Sequence, residues 1–196
     1  MLRKLLVASL LTGCLLTSIY AHDLFLKSEN YFLQPNAKTV IRLVKRHLPK
    51  SDGLVARERL RDASVIAPDG KITHPSSIAW RDEMKTTLLE VQTGVEGTYV
   101  VSVSTKPREI NLSAASFNDY LRDDGLPDVL AERKRTGELR KNVRERYSKH
   151  VRTLIQVGNA PTDNFKQPLG YPVELIPQQN PYSLGDWGHF RCAVHA

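Results

Sequence analysis

The sequence predicts a mainly β protein, an immunoglobulin-like antiparallel β-sandwich with a helical insertion, and three observations predict it. Short segments of period-2 hydrophobicity recur from His22 to about Asn111. Clusters of Pro, Asn, Asp and Gly separate them at strand-length intervals. From residue 114 to about 146 the alternation gives way to helix formers and charge, and it returns afterwards.

The chain opens with a targeting signal. Arg3 and Lys4 precede an apolar run from Leu5 to Ile19, and Ala21 offers a small residue for cleavage, so residues 1–21 read as a signal peptide and the protein as periplasmic. The run is shorter than the roughly 18 to 20 residues that span a bilayer, and the charged His22–Lys27 follows it, so no permanent membrane span is expected. Leu11-Thr12-Gly13-Cys14 also fits a lipobox that would leave a lipidated Cys14. Against that, Leu15, Leu16, Ile19 and Tyr20 stay apolar where a lipoprotein carries a polar tether, and the cut after Ala21 explains more of the segment. That cut leaves 175 of the 196 residues, enough for one domain with a sizeable core.

From His22 to residue 178 the reading is one β-sandwich domain. Strand segments are Thr39–Val44, Ala63–Ile66, Thr86–Val91 and Thr98–Ser104. Pro68-Asp69-Gly70-Lys71 is a hairpin signal, because Pro presets one turn dihedral and Gly supplies a positive one. In the insertion, Ser116 is expected to cap a short helix through Tyr120 and Leu121 that Asp124-Gly125 breaks, Pro127 to open a second helix, and a third to run from Gly137 to Arg146. Tyr147–Val157 returns to strand, with Tyr147, Val151, Ile155 and Val157 on one face and Ser148, His150, Arg152 and Gln156 on the other. Tyr171–Pro177 reads as a proline-bounded edge strand. Residues 179–196 read as a linker followed by an aberrant or truncated start of a second β-domain, without a finished strand.

Composition excludes some functions. Losing Arg3 and Lys4 takes the formal charge from +7 to +5, still basic, but the cations are interspersed with acids and form no stripe with aromatics, so nucleic acid is not an expected partner. Cleavage also removes Cys14, leaving Cys192 with no intramolecular disulfide partner. No phosphate loop, nucleophile elbow, paired-Cys motif or His-Glu-x-x-His run is present, and the reading is of a non-enzyme.

None of the six histidines is paired at close metal-ligand spacing, so a metal site must be assembled by the fold. His22 differs in kind: as a mature N-terminus, its α-amine and imidazole together chelate an ion such as copper or nickel. Further ligands are expected from His150 and His74, with His189 a weaker candidate. The competing reading makes His22 only the residue at which the peptidase cuts. Asp119, Asp123, Asp124 and Asp128 are read as helix-capping groups before a cation site. Arg57, Arg59, Arg61 and Asp62 alternate along a strand that could face an anionic ligand, and are read first as the charged face of a solvated edge strand.

Several strings resemble one family. His22–Lys27, Tyr31–Leu33, Arg59–Asp62, Gly97–Arg108, Phe117–Leu121, Glu145–Val151 and Leu169–Pro172 are similar to the bacterial domain-of-unknown-function 4198 family, over His22 to about Asp186. The resemblance implies an exported β-sandwich with a metal-related or carrier role, some members resembling periplasmic components of nickel or cobalt uptake, and a His near the mature N-terminus. It also implies a membrane transporter or envelope protein as partner, and relatives that continue past Asp186 into a second small β-domain. The leading expectation is therefore a periplasmic metal-binding protein working through His22. The alternative is a structural or adhesive envelope module that binds protein or glycan without metal. A histidine-brace copper enzyme ranks last, because a sandwich and an N-terminal His do not make an enzyme.

Overall fold

A computed structural model of the protein describes residues 23–45, 50–184 and 189–196. The expected signal peptide, His22 and Gly185-Asp186 lie outside the described residues. In chain order the strands are β1 (Leu24–Ser28), β2 (Phe32–Leu33), β3 (Lys38–Lys45), β4 (Leu60–Ile66), β5 (Ile72–Thr73), β6 (Trp80–Glu83) and β7 (Thr86–Gln92). They continue with β8 (Gly97–Thr105), β9 (Arg108–Leu112), β10 (Val143–Tyr147), β11 (His150–Val157), β12 (Glu174–Pro177) and β13 (Cys192–His195). The helices are α1 (Ala114–Asp123) and α2 (Pro127–Arg135). Leu112–Val143 form a unit of their own, and the described strands before and after it form the other.

In the strand unit, period-2 patterning is the organising force. One sheet has the order β1-β3-β7-β6 and the other β2-β11-β8-β4-β5, so the chain is the mainly β sandwich that the alternation predicts. Leu26, Ile41, Leu43 and Leu89 from the first sheet meet Val101, Val103, Ile155 and Val157 from the second in one core. Burying such side chains contributes about 1.5 to 3 kcal/mol each. The hairpin at Pro68-Asp69-Gly70 forms as expected: Gly70 takes φ +83°, Ala67 and Lys71 close the turn at 2.9 Å, and Ile66 pairs with Ile72.

Strand β8 is buried at every position, although its sequence alternates apolar and polar residues. Its inner face carries Tyr99, Val101 and Val103; its outer face, Thr98, Val100, Ser102 and Ser104, is roofed by the segment after β11. Phe165 of that segment is fully buried and packs with Ile66, Val100, Leu154 and Leu169 in a second, smaller core.

Four expectations about elements need correction. Strand β4 lies between β8 and the short β5, which pairs only with Val65 and Ile66, so among the described residues the Leu60–Asp62 end keeps the open edge expected of it; Arg57–Arg59, expected in the same strand, form a single turn of tight helix before it. The tail, expected to lack a finished strand, forms β13, which pairs antiparallel with β12 from Glu174↔His195 to Pro177↔Cys192. Cys192 is a free thiol, exposed.

In the helical unit, Ser113 and not Ser116 caps α1, its hydroxyl accepting from the Ser116 N–H at 3.1 Å. Pro127 starts α2 as predicted, but the third helix is absent. Gly137, at φ +72°, stops α2, and the buried Arg133 guanidinium donates to the carbonyls of Glu138 (2.8 Å) and Lys141 (3.0 Å), holding that stretch in turns. Residues 143–146, the remainder of the expected helix, belong with Tyr147 to strand β10, which pairs with β9.

Candidate functional site

The register of β4, β8 and β11 arranges their outward side chains in rows. Asp62, Ser104 and His150 align in the first, Ser64, Ser102 and Arg152 in the second, and Ile66, Val100 and Leu154 in the third. The third row seats Phe165; the two polar rows lie at the other end of the face. Outward orientation of His150 is thus as the alternation predicts.

The roofing segment supplies partners for the polar rows. The Tyr171 hydroxyl donates to Asp62 Oδ2 (2.5 Å), and its ring lies against the His150 imidazole with centroids 5.7 Å apart. Glu174 accepts from the backbone N–H groups of Leu169 (2.9 Å) and Tyr171 (3.1 Å) and forms an ion pair with Arg152, whose other terminal nitrogen donates to the Phe165 carbonyl at 3.1 Å. Both members are buried, with side-chain exposures of 10% for Arg152 and 3% for Glu174. Ser102 Oγ, at the centre of the second row, is buried without a hydrogen-bond partner among the described residues.

The two described candidate histidines reach the same end of this face. His74 Nδ1 lies 2.9 Å from Asp62 Oδ1 and 3.2 Å from the Ala63 carbonyl. His150 Nδ1 lies 2.9 Å from Ser104 Oγ, and its Nε2 lies 2.9 Å from Ser148 Oγ. Asp62 and Tyr171 lie between them: His74 and the Tyr171 hydroxyl both meet the Asp62 carboxylate, and the Tyr171 ring packs on the His150 imidazole, so the two histidines are joined through hydrogen bonds and then a ring contact. Among the described residues no group of three or more His, Cys, Asp or Glu side chains is placed to hold a metal. Partial burial pushes the Asp62 carboxyl up, but hydrogen bonds from Ser64 and Tyr171 together with His74 outweigh it, and the net shift is downward. Desolvation, reinforced by Arg61, holds the His150 imidazole below its ordinary value against the opposing pull of Glu174, favouring the neutral ring. Burial, with the hydrogen bond to Asp62, raises Tyr171 and keeps it a donor.

A groove of about 520 Å³ opens beside His150. One side is formed by Leu24 to Lys27 of β1, another by His150 to Arg152 and Leu154 of β11, and a third by residues around β12 and β13, including Val173, Leu175 and Phe190. The lining is predominantly apolar, with a few convergent polar groups, the usual constitution of a ligand site. Leu24 and His150 share this groove; His74 is not part of its lining.

Tyr171 and Glu174 are not among the candidates the sequence offers, and Asp62 is among them only as part of a charged strand face. Asp62 and Ser64 stand two apart on a strand, a spacing that places them on one face, but nothing local reveals the roof that closes over them.

Fold and site define a two-sheet β-sandwich with a roofed polar face and an edge groove. The chain belongs to the family described as domain of unknown function (DUF4198), whose model matches residues 19–195. The match runs past Asp186 and takes in β13. Neither a curated protein nor a solved structure matches the chain. Among the described residues no helix is long and apolar enough to cross a membrane.

Proposed function

We propose that the protein is an exported, non-enzymatic periplasmic protein that binds a transition metal ion, nickel, cobalt or copper, through His22 and His150 and passes it to a membrane transporter or envelope partner. The observation that carries the reading is that Leu24, two residues along the chain from His22, lines the same groove as His150. Two residue steps reach at most about 7 Å, a span short enough for a chain that starts at His22 to return to that groove. His150 suits the role: Ser104 fixes its Nδ1, as second-shell groups orient metal-binding imidazoles, while Nε2 meets the exchangeable Ser148 hydroxyl. Its depressed pKa favours the neutral ring that a metal requires.

The test is calorimetric titration of the matured protein with nickel, cobalt and copper, beside a form with one extra residue before His22 and a His150→Ala variant. Both changes are expected to weaken binding at least about tenfold, the equivalent of 1.4 kcal/mol. Equal affinity in all three forms overturns the chelate. Intact mass of the matured chain shows at the same time whether cleavage creates the His22 terminus.

A further inference from the structure

Among the described residues strand β1 ends its sheet, and register decides which of its peptide groups face outward. The Glu29 N–H bonds to the Val40 carbonyl at 3.1 Å, and the same ladder pairs Lys27 with Arg42 and Phe25 with Val44. Antiparallel pairs alternate between hydrogen-bonded and open, so these positions bond to β3 while the N–H and C=O of Leu24 and Leu26 point away from it. The same logic applies across the groove. Gln156 N–H donates to the Tyr31 carbonyl at 2.9 Å and Gly158 N–H to the Leu33 carbonyl at 2.8 Å, so the even positions of β11 face away from β8. Strand β2 covers that edge only at Gln156 and Val157, and Tyr182 takes the Leu154 carbonyl at 2.7 Å.

Four consecutive β1 residues, Leu24 to Lys27, line the groove. Successive side chains on a strand point to opposite faces, so a cavity that meets all four abuts the edge of the strand and not one face of it. Its outer wall is apolar and exposed, with Val173 at 46%, Leu175 at 60% and Phe190 at 53%. Lys27 is exposed at the rim, and the one carboxylate among the lining residues, Glu174, is turned onto Arg152. Open peptide groups, apolar walls and a cationic rim match an extended chain with alternate apolar residues and an acidic side chain. A fatty carboxylate would satisfy the walls and the charge, but it would leave the peptide groups of Leu24 and Leu26 against hydrocarbon without partners, at a cost of about 1 to 3 kcal/mol each.

We propose that this groove is a strand-addition site in which an extended, apolar and acidic segment of a partner protein pairs with the free edge of β1 at Leu24 and Leu26, its side chains against Leu175 and Phe190 and its carboxylate near Lys27. The chain's own β2, laid parallel along the edge of β11 on the other sheet, is an internal instance of such edge pairing. The proposal stands on the groove alone and requires no metal.

The test uses the matured protein in chelator, which separates it from metal binding, and a synthetic peptide of about nine residues alternating valine with threonine and carrying one glutamate. Binding is expected in the micromolar range, with slowed amide exchange at Leu24 and Leu26. Leu175→Glu and Lys27→Glu, both at exposed positions, are expected to weaken it about tenfold, and N-methylation of alternate peptide nitrogens on the bonding edge to abolish it. Dodecanoate is the competing probe. Peptide binding that survives N-methylation, dodecanoate binding with no change at the Leu24 and Leu26 amides, or no peptide binding at about 1 mM overturns the proposal.

Discussion

Arg152 on β11 and Glu174 at the start of β12 form an ion pair almost wholly withdrawn from solvent, and it fastens the roofing segment to the outer face of the sheet. Charges taken out of water stay stable only when paired and fully hydrogen-bonded, and Glu174 meets that requirement with the Leu169 and Tyr171 N–H groups as well as the guanidinium. Glu174→Ala leaves Arg152 buried and uncompensated, so a loss of about 3 to 5 kcal/mol is expected in urea unfolding. The double variant Arg152→Met, Glu174→Leu removes both charges and is expected to be more stable than Glu174→Ala alone. A double variant less stable than the single would show that the pair contributes more than mutual compensation.

The polar rows set an acid limit on stability. Asp62 has a folded pKa below its ordinary 3.8, so its contribution is fully present above that value and is lost as pH falls through the lowered one. His150 titrates below 6.5 in the fold, so the unfolded chain binds its proton first and stability also falls as pH drops from about 6.5 through the depressed value. Unfolding free energy is therefore expected to decline in two stages on acidification. His150→Gln is expected to flatten the upper stage and Asp62→Asn the lower, at the cost of an overall loss of about 1 to 3 kcal/mol from the unmatched Tyr171 and Ser64 hydroxyls. Urea titrations from pH 8 to pH 3 read both stages, and an unchanged upper slope in His150→Gln would remove His150 from the account.

Gly97, at the entry to β8, combines a φ of +140° with a close approach: a Cβ there would sit 2.5 Å from Pro68 Cβ. Pro68 cannot yield easily, because the Ala67–Lys71 turn fixes it. Gly97→Ala is expected to cost about 2 to 4 kcal/mol through combined strain and overpacking. Gly125, at φ +69° with nothing within 4 Å of its Cβ position, isolates the dihedral cost, and Gly125→Ala is expected to lose only about 1 kcal/mol. Similar losses at the two positions would assign the Gly97 effect to the backbone alone.

How much of this the sequence foretold follows the range of the interactions. Alternation between Tyr147 and Val157 is a local pattern, and it correctly turned His150 away from the core. The hairpin at Pro68-Asp69-Gly70 was legible for the same reason, since turn dihedrals are set by the residues that adopt them. The roof over Asp62 is not legible in its strand, because its partner Tyr171 lies 109 residues away in the chain. Glu174 escaped notice because a carboxylate beside prolines carries no sign of burial until Arg152 is placed beneath it. In the helical unit, Ser113 and Ser116 are both acceptable caps, and only the first stands where its hydroxyl meets the N–H three residues on.

The failed third helix leads to the remaining prediction. Glu138–Arg146 is rich in helix formers, yet Arg133 converts part of it to turns by acting as a buried hub. Its Nε donates to Asn118 Oδ1 at 3.1 Å, a terminal nitrogen donates to the Glu138 and Lys141 carbonyls, and its guanidinium carbon lies 4.9 Å from the centre of the Phe117 ring. Asn118 Nδ2 in turn donates to the Leu139 carbonyl at 2.9 Å. This one side chain therefore ties α1, α2 and the turns after Gly137 together, and helix propensity after Gly137 loses to two buried polar side chains, Arg133 and Asn118, that find their partners there. Lysine preserves charge and stem but cannot reach Asn118 and two carbonyls in a planar fork. Arg133→Lys is thus expected to raise amide exchange through α1 and α2 by at least about tenfold, and Arg133→Met further, with Asn118→Ala reproducing part of the effect. Hydrogen exchange read by mass spectrometry checks it, and full protection of α1 in Arg133→Lys would show that charge alone, without the fork, holds the unit.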